Sequence, residues 1–510
     1  MVSSNANGTD VSYTFDANNR LASVVDNRTA GTTTYTYDAT NQLASFAYPN
    51  GVGHVHTFDN RDRLTNVAVN GPAGVLATYG QTYSPSSHKT VVNENSGRGV
   101  NYTYDAIYRF LNESITGNAN SALNGALAYG LDPVGNRLSL TSTLAGIAAQ
   151  TNTFDSNDRL LADTYDANGN TLASGGNAFA YEFEDRLTSY NAGAITYVYD
   201  GDGNRVARTA AGSTTRFLID TLTPTGYAQV AEEVVAGFVV RQYTHGLMRV
   251  SQRQNLAGTW TTSYYGYDGF GSTRQLLSAA GVVTDTFAFD GFGNLVARTG
   301  STPNQYLYRG EALDAGTGMY YLRARWYRVG LGRFLNMDTV EERFDANTWS
   351  AQINPSFQFA RGNPVTYLDP SGHAETAILY KTSQAMVTAF VDSIAVGVLG
   401  FCVATDLAND PECWKMNSGK LHAQGDVFGK GDASGEGSIA STWSQPTPPL
   451  TVQGITGLAA IWATLKPSEL RALSTAFGKA VKWISERPPY GVNQGRSFFN
   501  DYDGSSVVLR

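Results

Sequence analysis

Three side chains of this 510-residue chain, Arg325, Asp338 and Asp369, are of types that could move protons if the fold brings them together. Two carboxylates that lie close together share one proton, so one can act as the acid and the other as the base towards a water molecule. An arginine beside them can hold a carboxylate or a peptide through its rigid fork of donors. On spacing alone, a simpler interpretation is that Asp369 begins a turn and Arg325 is an ordinary strand residue.

Metal chemistry has less support in the sequence. Cys402 and Cys413 have no histidine at ligand spacing and cannot form a zinc finger by themselves, although they could form one disulfide or stay free. The segments that begin at Asp166 and Asp200 resemble fragments of calcium loops, but both lack the bidentate glutamate at the end of the loop. We therefore expect no metal site and no cofactor.

Composition and charge narrow the class of protein. The chain exceeds the length that one hydrophobic core normally serves, so two or more units are expected. Only 16% of residues are charged, with 53 Gly and 29 Tyr, which favours short strands and turns over an α/β enzyme or a coiled coil. The net charge of -8 gives no general attraction to nucleic acid or to an anionic membrane. The first residues lack the basic and apolar regions of a cleavable signal peptide.

The elements that must position Arg325 and the two aspartates are repeats. An aromatic-x-aromatic-Asp pattern recurs, followed by a turn rich in Gly and Asn and then by Arg-Leu or a variant. Alternation places both aromatic side chains on one face of a strand, the Asp forms the turn, and Arg-Leu begins the return strand. Such hairpins are stable only when they stack on their neighbours. The strong copies end at Asp16, Asp38, Asp105, Asp200, Asp268 and Asp290.

These repeats resemble the RHS/YD repeats of bacterial polymorphic toxins, toxin-complex C components and teneurin shells. Tyr243-Thr-His-Gly-Leu247 resembles an element of that family, and residues 318–327 with 332–335 resemble its RHS repeat-associated core. Asn363-Pro-Val-Thr-Tyr-Leu-Asp-Pro-Ser-Gly372, which we call the closing motif, resembles the end of that core. The resemblance implies a β-sheet that spirals into a shell around a variable C-terminal polypeptide.

The resemblance also implies a self-cleaving aspartyl protease. Asp338 and Asp369 match its two carboxylates, and Arg325 matches a supporting arginine. By position relative to the family, the cut falls between His373 and Ala374.

The sequence departs from the family pattern at several positions around this site. Arg328-Val329 replaces Asp-Pro, Thr339 follows Asp338 where Pro is usual, and His373 replaces Leu. The segment between the two aspartates is also longer than usual, and its extra residues could form a surface loop without moving either carboxylate.

After Gly372 the repeat pattern stops and the sequence changes character. The apolar run predicts a helix over residues 376–404, and a helical period with flanking prolines predicts another over 467–487. The first run approaches the length of a membrane span, but Asp392 interrupts it, which favours a buried helix. His422 has no recognisable catalytic partner.

We therefore predict a mainly β fold, in which YD-repeat hairpins form a spiralling sheet, an open or partial cocoon, and an α-rich or α+β payload follows. The predicted domains are a scaffold over residues 1–310, the RHS repeat-associated core with the autoprotease motif over 311–372, and a variable effector-like domain over 373–510. Residues from about Val11 to Leu335 should form one continuous, twisted sheet.

The predicted function is a delivery or encapsulation scaffold that carries a toxin-like effector in intercellular competition and releases it by self-cleavage. One alternative is a surface or wall-associated adhesion module whose repeats bind glycans and whose tail is not toxic. In another, self-cleavage is the one catalytic activity of the chain.

Each of these functions implies partners and a location. An upstream shell segment or a partner chain would close the cocoon, an immunity protein would bind the payload, and a glycan would bind the repeats; the scaffold gives no sign of nucleic-acid binding. The protein is expected in the cytoplasm before export, and then secreted or at the cell surface, by a route that needs no signal peptide.

Overall fold

The computed structural model describes residues 2–3, 11–338, 343–345, 350–352, 357–373 and 376–377. These residues are almost entirely strand and turn, so the predicted mainly β fold is confirmed. Within the described ranges the helices are three short 3-10 segments, and none has the length and apolar character to cross a membrane. They are Ser121–Leu123, Tyr308–Gly310 and Ala360–Gly362.

The first sheet has fourteen strands, which pair antiparallel with their neighbours in chain order. Its strands are β1 Val2–Ser3, β2 Val11–Phe15, β3 Leu21–Asp26, β4 Gly31–Tyr37, β5 Leu43–Ala47, β6 Gly53–Phe58, β7 Leu64–Gly71, β8 Gly74–Tyr83, β9 Lys89–Glu94, β10 Gly99–Tyr104, β11 Phe110–Thr116, β12 Gly125–Leu131, β13 Arg137–Ser142 and β14 Gln150–Thr151.

The second sheet also has fourteen strands in chain order. They are β15 Thr164–Tyr165, β16 Thr171–Ser174, β17 Asn177–Tyr181, β18 Leu187–Tyr190, β19 Ile195–Tyr199, β20 Arg205–Ala210, β21 Ser213–Asp220, β22 Gln229–Val235, β23 Phe238–His245, β24 Arg249–Leu256, β25 Thr259–Tyr267, β26 Thr273–Ser278, β27 Val283–Phe289 and β28 Leu295–Thr299.

The prediction of one continuous sheet from Val11 to Leu335 is wrong, because the ladder is interrupted between β14 and β15. The repeat in that gap forms only an isolated bridge between Phe154 and Leu160. Its return segment does not continue as a strand, because the chain turns at once: the N–H of Asp163 donates to the carbonyl of Leu160 at 3.0 Å.

A four-stranded sheet follows, made of β29 Ala312–Asp314, β30 Met319–Leu322, β31 Arg325–Arg328 and β32 Arg333–Phe334. Two strand pairs complete the described structure. They are β33 Arg343–Asp345 with β34 Ser350–Gln352, and β35 Tyr367–Leu368 with β36 Thr376–Ala377.

The helix predicted over residues 376–404 is wrong at its start, because the main chain of β36 pairs with β35. Four other predicted features lie outside the described residues: the rest of that helix, the second predicted helix, both cysteines and His422.

The chain divides into two compact units, one of residues 1–341 with 353–383 and one of residues 342–352 with 384–510. In the described ranges, the hairpin β33–β34 belongs to the second unit and all other strands belong to the first.

Most hairpin turns of the repeat are organised by an aspartate. In the first, the Oδ1 of Asp16 accepts the N–H groups of Asn18 and Arg20, each at 2.9 Å. Its Oδ2 accepts the Nε of Arg20 at 2.8 Å, and Asn19 supplies the positive φ of 58°. The same bond to the N–H four residues on is made by Asp38, Asp59, Asp105, Asp132, Asp155, Asp166, Asp200, Asp268 and Asp290.

The calcium-loop-like segments at Asp166 and Asp200 are two of these turns. Their carboxylates bond the main chain and the side chains of Asn170 and Asn204, respectively. Throughout the described part of the chain, no group of three or more His, Cys, Asp or Glu side chains is placed to hold a metal ion.

Two recurrent contacts join neighbouring repeats. The hydroxyl of Tyr37 donates to the carbonyl of Leu21, at the start of the preceding return strand, at 2.9 Å; we call this contact the tyrosine staple. The guanidinium of Arg20 lies 4.4 Å from the centroid of the Tyr37 ring and donates to Asn41 in the next turn at 2.8 Å. Further staples join Tyr83 to Leu64, Tyr199 to Leu187 and Tyr267 to Arg249.

The first aromatic of each strong repeat packs in the core of the sheets rather than facing solvent. These rings therefore do not form the exposed row that the glycan-binding alternative needs, and glycan binding by the repeats stays a prediction. The buried rings are Tyr13, Tyr35, Tyr102, Tyr197, Tyr265 and Phe287.

Candidate active site

The candidate site lies where the four-stranded sheet meets the closing motif. Arg325 is the first residue of β31, Asp338 lies shortly after β32, and Asp369 follows β35 directly. The N–H of Ala324, in the turn before β31, donates to the carbonyl of Ser371 at 3.3 Å. This turn therefore holds the closing motif against the sheet.

Arg325 is the centre of the site. Its side chain is 2% exposed and its guanidinium carbon lies 3.6 Å from the centroid of the Phe334 ring. One nitrogen, Nη2, lies 3.0 Å from Oδ2 of Asp338 and 3.4 Å from Oδ2 of Asp369. The Nε donates to the carbonyl of Gly372. A single buried guanidinium thus binds both acids and the end of the closing motif.

The residues after Asp369 are held by a short chain of hydrogen bonds. The hydroxyl of Ser371 donates to Oδ1 of Asp369 at 3.2 Å, and it accepts the N–H of His373 at 3.1 Å. The Nδ1 of His373 lies 2.8 Å from Oδ1 of Asp338. The predicted cleavage position is therefore tied to both carboxylates.

Gly372 is required by the backbone at this point. Its φ is +76°, which L side chains rarely adopt. A Cβ there would lie 2.2 Å from the carbonyl oxygen of Leu322 and 3.0 Å from the nitrogen of Arg325. Glycine thus lets the closing motif approach the turn between β30 and β31.

Two further arginines hold the closing motif. Nη1 of Arg323 donates to Glu311 at 3.1 Å and also to the carbonyl of Pro370. Arg309 donates to the carbonyls of Pro364 and Phe270. Arg323 lies within the core motif of the sequence and Arg309 just before the predicted core, but neither role could be predicted, since each depends on contacts with residues distant in the chain.

The charges of the site suit an acid–base pair. The side chain of Asp338 is 7% exposed and that of Asp369 is 0% exposed. Both carboxylates contact the same guanidinium nitrogen of Arg325. The predicted acid and base roles need one proton shared by such a pair of carboxylates.

The structure therefore brings together Arg325, Asp338, Asp369 and His373, all from the sequence prediction. Ala374, on the other side of the predicted cut, lies outside the described residues. The chemical roles of these side chains stay predictions. Ser371 and Gly372 were visible only as part of the closing motif, and their individual contacts could not be predicted from it.

Two family models match the chain. The model of the teneurin YD-shell matches residues 77–365, which is more than half of the chain, and the model of the RHS repeat matches residues 15–52. Most strands of both sheets and the start of the closing motif lie within these two ranges, and β6 and β7 lie between them.

Curated relatives match part of the chain. The tRNA3(Ser)-specific nuclease WapA of Bacillus spizizenii and the tRNA nuclease WapA of Bacillus subtilis are each 27% identical over 262 residues. These matches cover 48% of this chain and 11% of each relative. Salivary gland surface protein 1 of Aedes aegypti is 29% identical over 127 residues, which are 24% of this chain and 3% of that protein. The chain thus spans a small part of the length of these relatives.

Solved structures share the fold. The Tc holotoxin pore of Photorhabdus luminescens aligns with a TM-score of 0.56 at 16% identity, over 74% of this chain and 22% of that chain. The TcdB2-TccC3 complex aligns with a TM-score of 0.57 at 18% identity, over 71% and 22%. The repeat geometry, the fold and the matching family models agree, and this chain belongs to the teneurin YD-shell family of RHS-repeat proteins.

Proposed function

We propose that the chain is part of a toxin-delivery scaffold that cuts itself after His373 and releases the residues beyond as an effector. The observation that carries this proposal is the position of Arg325, which binds Asp338, Asp369 and the carbonyl of Gly372 together. The fold shared with Tc toxin components and the sequence similarity to the WapA nucleases support a scaffold for toxin delivery.

The proposed reaction is hydrolysis of the peptide bond between His373 and Ala374. The ionised carboxylate of the pair takes a proton from water, and the resulting hydroxide attacks the carbonyl carbon of His373. The protonated carboxyl gives its proton to the leaving nitrogen, the C–N bond breaks, and a carboxyl and an amine are formed. Arg325 holds the carboxylates and the preceding carbonyl in register throughout.

The test is intact-mass spectrometry of the purified full chain beside Asp338→Asn and Asp369→Asn. Asparagine keeps the shape and most hydrogen bonds, so both variants should fold and remain at 54.8 kDa while the wild type splits after His373. Asp26→Asn is a matched control, because Asp26 is also buried and paired with an arginine, Arg28. The control should split like the wild type.

Self-cleavage at this site is excluded if the wild type stays whole. It is also excluded if both asparagine variants still split near residue 373. In either case the closing motif would serve only as a structural plug of the scaffold.

The effector part of the proposal has its own test. Expression of residues 374–510 alone should stop growth of a bacterial host, whereas the adhesion alternative predicts normal growth. Co-expression with a candidate immunity protein should restore growth.

The proposal also includes export by a route without a signal peptide and an upstream segment or partner chain that completes the scaffold. The partner chains in the Tc complexes support the second point for those proteins. Purification of this chain with the segment encoded before it should yield one complex, and separate elution would contradict the proposal.

A further inference from the structure

One repeat of the first sheet carries its arginine one position later than the repeat before it. In the earlier repeat, Arg109 lies four residues after Asp105 and pairs with it at 2.6 Å. Four residues after Asp132 the chain has Asn136, whose Nδ2 donates to Oδ2 of that aspartate at 2.9 Å, and Arg137 comes next. Because side chains alternate along a strand, this shift turns Arg137 towards the buried face, where it is 6% exposed.

Arg137 is a buried cation with two unused donors. Its Nη2 donates to the carbonyl of Gly330 and, at 3.4 Å, to Oε1 of Gln150. Among the described residues, nothing accepts a hydrogen bond from its Nε or Nη1. The ring centroids of Phe292 and Tyr129 lie 5.1 and 5.6 Å from the guanidinium carbon, and aromatic rings stabilise such a charge less than a carboxylate does. The charge of Arg137 is therefore only partly compensated.

A second buried arginine, Arg333, stands at the start of β32. It is 7% exposed, and its guanidinium carbon lies 4.6 Å from the ring centroid of Phe357 and 4.9 Å from that of Phe154. Its Nη2 donates to the main-chain carbonyl of Asp158 at 2.6 Å. Neither Arg333 nor Arg137 forms an ion pair with a carboxylate of the described ranges.

The acidic groups that act on Arg333 have other partners. Oδ2 of Asp163 lies 2.7 Å from Nη1 of Arg328, and Oδ1 of Asp158 accepts Nδ2 of Asn136 at 2.7 Å. Burial lowers the pKa of Arg333 to about 10 and also lowers the pKa of Arg137. Both shifts have the direction expected of buried cations without a balancing charge, and both side chains still carry their charge at neutral pH.

Arg137 and Arg333 line one cavity, beside the segment where the first sheet has ended and the second has not begun. The cavity has a volume of about 30 Å³, and Asn152 and Gln358 add polar side chains to its wall. Gly332 also lines it, and a Cβ on this glycine would lie 3.0 Å from the unpaired Nη1 of Arg137. One water needs about 10 to 15 Å³ of such volume, so the cavity has room for two waters or one small ion.

We propose that this cavity binds one inorganic anion of halide size, held between Arg137 and Arg333. Water in the cavity would satisfy the free donors but would leave two buried positive charges unbalanced. An anion satisfies the donors and balances the charge at once. Because Arg137 begins β13 and Arg333 begins β32, the anion joins the end of the first sheet to the four-stranded sheet across the break. The site is independent of the proposed self-cleavage.

Arg205 shows what distinguishes this cavity from the surroundings of another buried arginine. It follows Asp200 by five residues, is 4% exposed, and stacks on the ring of Tyr321 at 4.4 Å. Its Nε also has no partner among the described residues, but Arg205 does not line this cavity. Arg205→Gln is therefore a matched control, because it removes a buried, stacked arginine at the same position of a repeat and leaves the anion site intact.

The test is urea unfolding of the full chain at constant ionic strength, with chloride replacing gluconate, followed by tryptophan fluorescence in the Asp369→Asn background. For a dissociation constant of about 10 mM, a rise from about 5 to about 500 mM chloride should lower the unfolding equilibrium constant about thirtyfold. In Arg137→Gln and in Arg333→Gln the change should be less than about threefold. In Arg205→Gln it should equal that of the parent chain.

Chloride NMR provides a second measurement that does not depend on unfolding. Chloride that exchanges with a site on a large protein gives a broader resonance than free chloride. The folded parent chain and Arg205→Gln should therefore broaden the line, and bromide should reverse the broadening by competition. Arg137→Gln should broaden it much less.

The outcomes decide between an anion and water. Loss of the chloride effect in the cavity variants, with the effect kept in Arg205→Gln, supports the site. If one cavity variant fails to fold, the other variant and the NMR titration of the parent chain give the same decision. An equal chloride effect in the parent and all variants would be a general salt effect and would overturn the proposal, as would the absence of any effect in the parent chain.

Discussion

Glu113 should make the free energy of unfolding depend on pH in the neutral range. It lies on β11 with 1% of its surface exposed. Its two oxygens accept the N–H of Gly291, each at 3.0 Å, and Tyr129 donates to one of them at 3.4 Å. Burial first, and then the negative charge of nearby Asp290, raise the pKa of Glu113 to about 8.

The sign of the effect follows from proton binding. The folded chain holds a proton on Glu113 more tightly than the unfolded chain, whose glutamates have a pKa of about 4.5. The free energy of unfolding therefore falls as the pH rises from about 4.5 to about 8, and this contribution is constant above that range. Each pKa unit corresponds to about 1.4 kcal/mol, so the full change is about 5 kcal/mol at most.

Glu113→Gln removes the ionisation and keeps an acceptor for Gly291. At pH 5 the variant should match the wild type to within about 1 kcal/mol, and at pH 9 it should be more stable by about 2 to 5 kcal/mol. The assay is urea unfolding followed by tryptophan fluorescence, in an Asp369→Asn background that keeps the chain whole. Glu184→Gln, at an exposed glutamate, is the control and should leave the pH dependence unchanged.

An equal fall in stability between pH 5 and 9 in the wild type and in Glu113→Gln would refute the reasoning. That result would mean that the hydrogen bonds of the folded chain stabilise the charge on Glu113 as well as water does in the unfolded chain.

Three further predictions concern the scaffold and the closing motif. Gly372→Ala should slow self-cleavage at least tenfold in a timed mass assay, since the added Cβ pushes the closing motif away from β30, while circular dichroism stays that of a β protein. Tyr37→Phe should lower the free energy of unfolding by about 1 kcal/mol in urea titration, because the carbonyl of Leu21 loses the tyrosine staple. Burial opposes ionisation of Asp314, but its hydrogen bonds to Arg208 and Tyr197 outweigh burial and lower its pKa. Asp314→Asn should therefore lower the free energy of unfolding by about 3 kcal/mol at pH 7 in thermal unfolding. This loss should become progressively smaller below pH 4, where the wild-type carboxylate takes up a proton.

The repeat could be predicted from the sequence because its determinants are local. Asp16 organises its own turn through bonds to residues two and four positions away, and Arg20 continues to the next turn. The break after β14 could not be predicted in the same way. Its sequence still carries Phe154 and Asp155 at the expected spacing, and the strand is lost because the chain turns again at Asp163.

The residues of the candidate site could be predicted from the sequence, but the contacts between them could not. Arg325, Asp338 and Asp369 were found through motif resemblance, and the structure brings them together. His373 was predicted as the residue before the cut and was also noted as a departure from the expected leucine. Its contact with Asp338 joins residues that are 35 positions apart, and no local pattern encodes such a contact.

The tyrosine staple has a consequence for how arrays of this kind change length during evolution. Each staple joins a repeat to its immediate neighbour, as between Tyr37 and Leu21 or between Tyr83 and Leu64. Deletion of one whole repeat therefore brings together two repeats that can form the same staple again, whereas deletion of part of a repeat leaves a hydroxyl and a carbonyl out of register. Gene duplication and loss should then leave arrays whose lengths differ by whole repeats, with partial repeats confined to sheet edges such as β14 and β15, where no staple has to be formed.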